Sequence, residues 1–409
     1  MSAKSVIIIG AGSAGLTAAG YCAGQGHRVS VLEKNDRPAR KLMITGKGRC
    51  NLTNDCSLQR LISSVPRNGK FLYGAFSKFS PRDTMALFES CGVALKTERG
   101  NRVFPVSDRA VDVVDALVSF ARLSGAEIAK RSADGLLIKD SRICGVIADG
   151  KELPADAVII ATGGKSYPLT GSTGDGYRLA QSAGHTIIEP QPSLVPLNIH
   201  ENFCYDLQGL SLRNAALKVV LRESGKEIYC DFGEMLFTHF GVSGPMILSA
   251  SAHMRDMTAG KYKLLIDLKP ALSGEQLDKR VLRDFEQFQN RDFINVLPEL
   301  LPRKLIPVVV RLSGIGAYTK VNAITRTQRL ALVKLIKEFR LTVTGFRPIE
   351  EAIVTSGGVK VSEIDPKTMQ SKLVKGLYFA GEVIDVDGYT GGFNLQIAFS
   401  TGYLAGSSI

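Results

Sequence analysis

Residues Val6 to Gly15 read VIIIGAGSAG, and Glu33 stands eighteen positions beyond the last of those glycines. An apolar run of buried-strand type enters Gly10-x-Gly12-x-x-Gly15. A stretch of small residues follows, and a second apolar run, Arg28 to Leu32, ends on the acid. Gly10 permits the tight turn, Gly12 admits a pyrophosphate close to the backbone, and Gly15 lets the next helix lie against the strand. The N-terminus of that helix offers free N–H groups and the positive end of its dipole to phosphates. Glu33 is placed to accept from both hydroxyls of a ribose. The pattern predicts a strand–helix–strand unit of an α/β, Rossmann-like sheet. Its dinucleotide contacts would come from Gly10, Gly12, Ser13, Ala14, Gly15, Glu33 and the adjoining Lys34.

The same stretch could be mistaken for a signal peptide or a membrane span, because Ser5 to Gly26 carries no formal charge. Six glycines interrupt it, and it lacks both a basic leader and a continuous apolar core. The expectation is a soluble chain without membrane or targeting segments. Seven scattered cysteines, an odd number with no CxxC pair, argue against a disulfide framework and for a reducing cytoplasm. The five histidines are equally dispersed, so no metal site is expected. The net charge of +12 is spread along the chain without a long basic tract. It reads as a solvated basic surface serving anionic ligands, not as a nucleic-acid footprint.

Strand-like runs at Val158–Ala161 and Leu377–Ala380 each end in glycine, as strands facing a ligand crevice do. Between them the texture changes. Leu194–Ile199 and Ala216–Leu221 alternate, a turn-like Glu223–Lys226 follows, and Tyr262, Leu264, Ile266 and Leu268 alternate against Lys263 and Asp267. That is antiparallel sheet with one wet face. Helical stripes come next, at Leu277, Val281, Phe285 and Phe288, then at Leu332, Leu335, Ile336 and Phe339. The expected architecture is a nucleotide-binding domain split in sequence, residues 1–191 and 344–409. The insert, residues 192–343, would hold a β section to about 270 and a small helical section from about 271.

Four further clusters point from a dinucleotide toward a flavin. Arg37 to Asn54 carries Arg37, Arg40, Lys41, Lys47 and Arg49 with no acid after Asp36, and Gly46 and Gly48 allow close backbone approach. A pyrophosphate needs such charge and backbone donors, which brings Arg40, Lys41, Gly46, Gly48, Arg49, Cys50, Asn51 and Leu52 to the candidate site. Ala161-Thr162-Gly163-Gly164 ends a strand with residues small enough for a cofactor to pass over. Thr173-Gly-Asp175-Gly precedes a helix that Asp175 is placed to cap. Last, Gly381-Glu382 ends a strand, and a turn through Gly391, Gly392, Phe393, Asn394, Leu395 and Gln396 leads into an apolar helix. A helix N-terminus aimed at a reduced isoalloxazine stabilises the charge at N1 and O2. Glu382 would hold a ribityl hydroxyl, and Asn394 or Gln396 would donate to the ring.

Taken in order, GxGxxG, Glu33, GKGRCNLTN, ATGG, TGDG and GLYFAGEV…GYTGGFNLQ resemble a family of bacterial flavoproteins. Its members are described as aminoacetone-oxidase-like and as NAD(P)/FAD-dependent reductases related to bile-acid metabolism. Leu236 to Pro245, Thr355 to Val359 and Thr368 to Lys372 are similar to other signatures of that family. TGDG and GLYFAGE are more distantly similar to fumarate-reductase-type flavoproteins. The resemblance implies tightly bound FAD, a divided FAD domain and an inserted domain over the flavin.

Flavin chemistry divides into classes by what each needs. A pyridine-nucleotide disulfide reductase requires two close thiols, a second GxGxxG and a C-terminal histidine. Here Cys50 and Cys56 are six apart and no histidine follows His253. That class is excluded, although NAD(P)H remains a candidate transient electron donor at an open flavin face. The expected activity is hydride transfer at flavin N5 in an NAD(P)H-linked reductase or dehydrogenase of a small organic substrate. The alternative is an amine oxidase of the aminoacetone type that releases hydrogen peroxide. A flavin-containing RNA-binding or RNA-modifying protein is a third reading. His239, within a glycine-rich signature, is the candidate acid–base residue, and Tyr389 the candidate wall of the ring's substrate face.

Overall fold

A computed structural model describes residues 2–409. The chain divides into two units, Met1–Ser193 with Pro348–Ile409, and Leu194–Arg347.

The first unit is built on five parallel strands. They are β1 (Ser5–Ile9), β2 (Arg28–Glu33), β3 (Glu127–Lys130), β4 (Ala157–Ile160) and β5 (Leu377–Phe379), in the order β5-β4-β1-β2-β3. Ile8 lies between Val31 and Ile159 in register. Both faces are covered, so β1 and β4 read as unbroken apolar runs without alternation. Ile8, Val31 and Ile159 are fully buried, where truncation to alanine costs about 2–5 kcal/mol. Helix α1 (Ser13–Gly24) follows β1 at once. A Cβ on Gly15 would stand 1.9 Å from the Gly10 carbonyl oxygen, so any side chain there pushes helix and strand apart. Helix α2 (Phe393–Ser407) lies against α1 through Gly402 and Gly406, whose added Cβ atoms would sit 2.4 Å from the carbonyl oxygens of Ala14 and Ala18.

Around this layer stand an antiparallel sheet of Ala133–Lys139, Arg142–Ala148 and Lys151–Pro154, and a small sheet joining Thr53–Asn54 to Arg102–Pro105 and Leu95–Glu98. The strands Ile187–Ser193 and Val354–Val359 pair antiparallel where the chain leaves and re-enters this unit.

The second unit is a closed six-stranded antiparallel barrel with a helical section. Around the barrel the order is Leu197–Ile199, Gly241–Ser243, Glu227–Thr238, Ser211–Leu221, Tyr262–Asp267 and Phe339–Phe346, and the last pairs with the first. Leu217, Val219, Phe237, Leu264, Ile266, Leu341 and Val343 form its interior. Helices Gly274–Gln287 and Arg326–Lys337 each start with a capping box, Ser273/Gln276 and Thr325/Gln328, and pack together through an Arg329–Asp278 ion pair of 2.7 Å.

One expectation is corrected here. Phe339 does not continue the helical stripe, and the β section does not finish before the helices. Helix Arg326–Lys337 ends at Glu338, which leaves the helical conformation, and Phe339 opens the strand that closes the barrel. Its alternation of buried Phe339, Leu341 and Val343 with Arg340 and Thr342 is the signal of a half-buried strand. Among the described residues, no helix is long and apolar enough to cross a membrane.

Candidate functional site

The carboxyl ends of β1, β2, β4 and β5 bring the sequence-predicted residues of the first unit together. Gly10 takes φ of +101°, and a Cβ there would meet the Ala161 carbonyl oxygen at 2.7 Å, so the GxGxxG loop and the ATGG segment touch backbone to backbone. A Cβ on Gly12 would meet nothing within 4 Å. That open flank lies at the N-cap of α1, whose first-turn N–H groups have no partner inside the helix. A groove of this shape fits a diphosphate.

Glu33 is buried at the end of β2. Its Oε2 accepts from the Ala11 N–H at 3.0 Å, and its Oε1 accepts from the Asn35 N–H at 2.9 Å and the Asn35 amide at 2.6 Å. The carboxylate braces the glycine loop, and each oxygen keeps acceptor capacity for a ribose hydroxyl. Lys34 reaches across to Thr173 and Asp175, pairing with the latter at 2.5 Å. Burial pushes the Asp175 carboxyl up, but the bonds from Lys34 and Thr173 outweigh it and hold the group below its ordinary value. Asp175 is the first helical residue and Gly174 the cap, so the residue closes an ion pair and does not cap its helix.

The basic loop is divided in its roles. Lys41 pairs with Glu382 at 2.7 Å and donates to Ser166 at 2.5 Å, while Glu382 also accepts from the Thr355 N–H at 2.8 Å and the Ser166 hydroxyl at 3.2 Å. This junction ties the loop to β5 and to the strand carrying Thr355. Arg40 is exposed and donates to Asn35 at 3.2 Å. Arg49 bridges Glu98 and Asp108 and lies 4.2 Å over the Phe104 ring, so its charge is spent within the protein and it is corrected from phosphate ligand to anchor. Cys50 and Leu52 are fully buried, and burial pushes the Cys50 thiol up to about 12, which makes it a packed apolar group.

At the start of α2, Asn54 donates to the Gly391 carbonyl at 3.0 Å, and Asn51, with its amide oriented so that the oxygen faces the Gly392 N–H, accepts from it at 3.1 Å. Asn394 accepts from the Gly388 N–H and donates back to the Gly388 carbonyl, both at 2.8 Å. Gln396 is fully buried, accepting from Thr53 and Thr84 and donating to Phe79 and Ser400. Both amides therefore shape the turn and the helix, and neither is free to donate to a ring. Phe393 is buried, Leu395 is half-buried against the same core, and Tyr389 donates its N–H to the Ser64 carbonyl at 2.9 Å. Thr162 in the ATGG segment keeps a buried hydroxyl without a partner. His239 belongs to the second unit, where it is exposed and meets Phe240 edge-on at 5.0 Å.

Sequence reasoning missed a group beside the α2 turn. Arg67 pairs with Asp385 at 2.7 Å, and Asn68 donates to the same carboxylate at 3.0 Å. Asp387 accepts from Ser193 at 2.6 Å and from Ser356 at 3.0 Å. Both aspartates are almost fully buried. Their signal was present in Val383-Ile-Asp385-Val-Asp387, where two acids alternate within an apolar run, but their partners come from distant parts of the chain.

The profile of the family described as "HI0933-like protein Rossmann domain" matches residues 4–408. The "3-dehydro-bile acid delta(4,6)-reductase" of Clostridium scindens is 32% identical over 98% of this chain and 97% of its own length. The "Ribosomal RNA dihydrouridine synthase" of Haemophilus influenzae is 31% identical over 98% of both chains, and the protein of that name from Escherichia coli is 29% identical over 98% and 97%. Among solved structures, the 3-ketosteroid-delta4-(5alpha)-dehydrogenase of Rhodococcus jostii RHA1 shares the fold, with a TM-score of 0.53 at 14% identity over 99% of this chain and 96% of that one.

Proposed function

The chain belongs to the HI0933-like Rossmann family of FAD-dependent oxidoreductases, and on that footing we propose that it is a cytoplasmic NAD(P)H-linked reductase. Its substrate is a small organic molecule with a carbon–carbon double bond conjugated to a carbonyl. The observation that carries this reading is the chemistry shared by the relatives' names. One is a reductase acting at positions 4 and 6 of a 3-dehydro-bile acid, and two form dihydrouridine in ribosomal RNA. These substrates differ in size and polarity, and what they share is hydrogen added across a double bond.

FAD, when bound, supplies hydride exchange with nicotinamide and substrate. In this reading the N–H groups at Ser13 and Ala14 hold the diphosphate and Glu33 the adenosine ribose. The Gly391–Gly392 turn and the first turn of α2 stabilise negative charge on the reduced ring. Lys41 and Glu382 fix the loop over the cofactor. Tyr389 is the proposed wall of the ring's substrate face.

The test is anaerobic turnover of the purified protein with NADPH and then NADH against a panel of α,β-unsaturated ketones, uridine-containing RNA included, with products read by mass spectrometry. A saturated product is expected. A flavin bleached by amines and reoxidised by oxygen with peroxide release would move the protein to the oxidase class. RNA as substrate has support of its own, since the second unit carries 22 Lys and Arg against 15 Asp and Glu. Affinity for RNA falling steeply with salt would favour it.

A further inference from the structure

The cluster beside the α2 turn holds more carboxylates than cations. Glu382 is matched by Lys41 at 2.7 Å and Asp385 by Arg67 at 2.7 Å. Asp387 has only hydroxyl partners, Ser193 and Ser356, and it is 2% exposed. An uncompensated charge in such a place is costly, and two neighbouring carboxylates resist ionising together. Burial raises the carboxyls of both Asp385 and Asp387 above the usual range; Arg67 and Asn68 counteract this at Asp385, and the two hydroxyls with the more distant Arg67 charge counteract it at Asp387, where the Asp385 carboxylate adds to the rise. Nearby, the Tyr177 hydroxyl is buried without a partner, and burial together with Glu382 and Asp385 keeps it protonated. Asn68 and the Gly357 N–H complete the polar surroundings of Asp385.

The cluster is fixed to the turn that leads into α2. Arg67 forms a β-bridge with Asp387, Tyr389 donates its N–H to Ser64, and Asn68 donates to the Asp385 carbonyl at 2.7 Å. Residues 64–68 are thereby zipped along residues 385–389, immediately before Gly391 and Gly392. The Arg67 side chain is 31% exposed, so the cluster reaches solvent at one end. We propose that Asp385 and Asp387, gripped by Arg67, are the proton store of the flavin pocket, taking up one proton when the flavin is reduced and giving it up when the flavin is reoxidised. This rests on the reading of the protein as a flavin-dependent reductase.

The electron and proton counts close. Hydride from NAD(P)H brings two electrons and a negative charge to the pocket, and that charge draws one solvent proton onto Asp387. When hydride passes to the β-carbon of the substrate, the double bond breaks and the α-carbon is left carrying the electron pair. With that charge gone, Asp387 returns its proton to solvent while the α-carbon takes one proton from solvent, so that each cycle consumes one hydride and one proton. Asp387 acts here as a positioning and proton-storing residue, without contact to the reacting atoms.

The experiment is the redox-difference infrared spectrum of the holoprotein, run beside a potentiometric titration across pH. On reduction, the wild type should gain a carboxylic C=O stretch that shifts in heavy water. Its potential should show one additional proton taken up per two electrons within a window of pH. Asp387→Asn should lose the band and the additional proton while keeping the flavin spectrum. Ser356→Ala, which keeps both carboxylates and removes one donor, should move the window to higher pH. A wild type that binds FAD, is reduced and shows neither band nor additional proton overturns the proton store and leaves the reductase reading standing. A purified protein that binds no FAD overturns both.

Discussion

Replacing Glu33 by alanine separates what the structure says of this residue from what a ribose-binding acid alone would require. In the folded chain the carboxylate accepts from the N–H of Ala11, which is fully buried, and twice from Asn35. Alanine strands the Ala11 N–H away from water, and a buried donor left without a partner costs about 1–3 kcal/mol. The glycine loop should loosen by that amount even without cofactor, seen as a lower midpoint in denaturant titration of the apoprotein. With cofactor, a charge-assisted bond to a ribose hydroxyl is lost as well, about 1.5–3 kcal/mol, which corresponds to a roughly 10- to 150-fold rise in the dissociation constant for FAD. Reconstitution of the apoprotein followed by flavin fluorescence quenching reads that constant. Glu33→Gln should fall between, since one oxygen still accepts while the new amide faces a donor. An alanine variant that binds FAD within twofold of wild type would refute the ribose assignment.

Three more outcomes are expected. Gly15→Ala places a Cβ 1.9 Å from the Gly10 carbonyl oxygen and should abolish FAD retention; a variant that purifies fully yellow would show that strand and helix can part there. Gln396→Ala should lower the thermal midpoint by stranding the Thr53 and Thr84 hydroxyls, and a shifted flavin spectrum without lost stability would return Gln396 to the ring. His185 is buried between Glu363 at 3.2 Å and Ser371 at 2.7 Å, and burial lowers its imidazole below the ordinary value. Its folded state favours the neutral ring, so the stabilisation is full above the unfolded value of about 6.5 and is lost as pH falls from there toward the folded value. Chemical denaturation between pH 7.5 and 5.5 should show that loss, and His185→Phe should flatten it.

The strand–helix–strand unit was legible because its signals are local. Strand, turn, helix and acid follow one another within Val6 to Glu33, and each constrains the next. The barrel was only half legible. Phe339 fits the helical stripe of Leu332, Leu335 and Ile336 and also the alternation of Leu341 and Val343, and only pairing with Tyr262–Asp267 decides between them. Side-chain roles were the least legible. Arg49 looks like a phosphate ligand until Glu98 and Asp108 are seen to hold it. Asn394 looks like a ring donor until the Gly388–Tyr389 turn takes its amide, and Gln396 until Thr53, Thr84, Phe79 and Ser400 take every bond it can make. The pairing of Arg67 with Asp385, and of Asp387 with Ser193 and Ser356, joins four separate parts of the chain, and no spacing in the sequence announces it.

In the proposed function a nicotinamide reduces a flavin held in the first unit, and the electrons then saturate a conjugated double bond. Anaerobic stopped-flow mixing of the yellow protein with NADPH or NADH, followed by a conjugated enone, tests it most directly. Rapid bleaching by a nicotinamide and recovery of the oxidised spectrum on adding the enone are expected. A flavin that neither nicotinamide bleaches, but that an amine does, would contradict the proposed function.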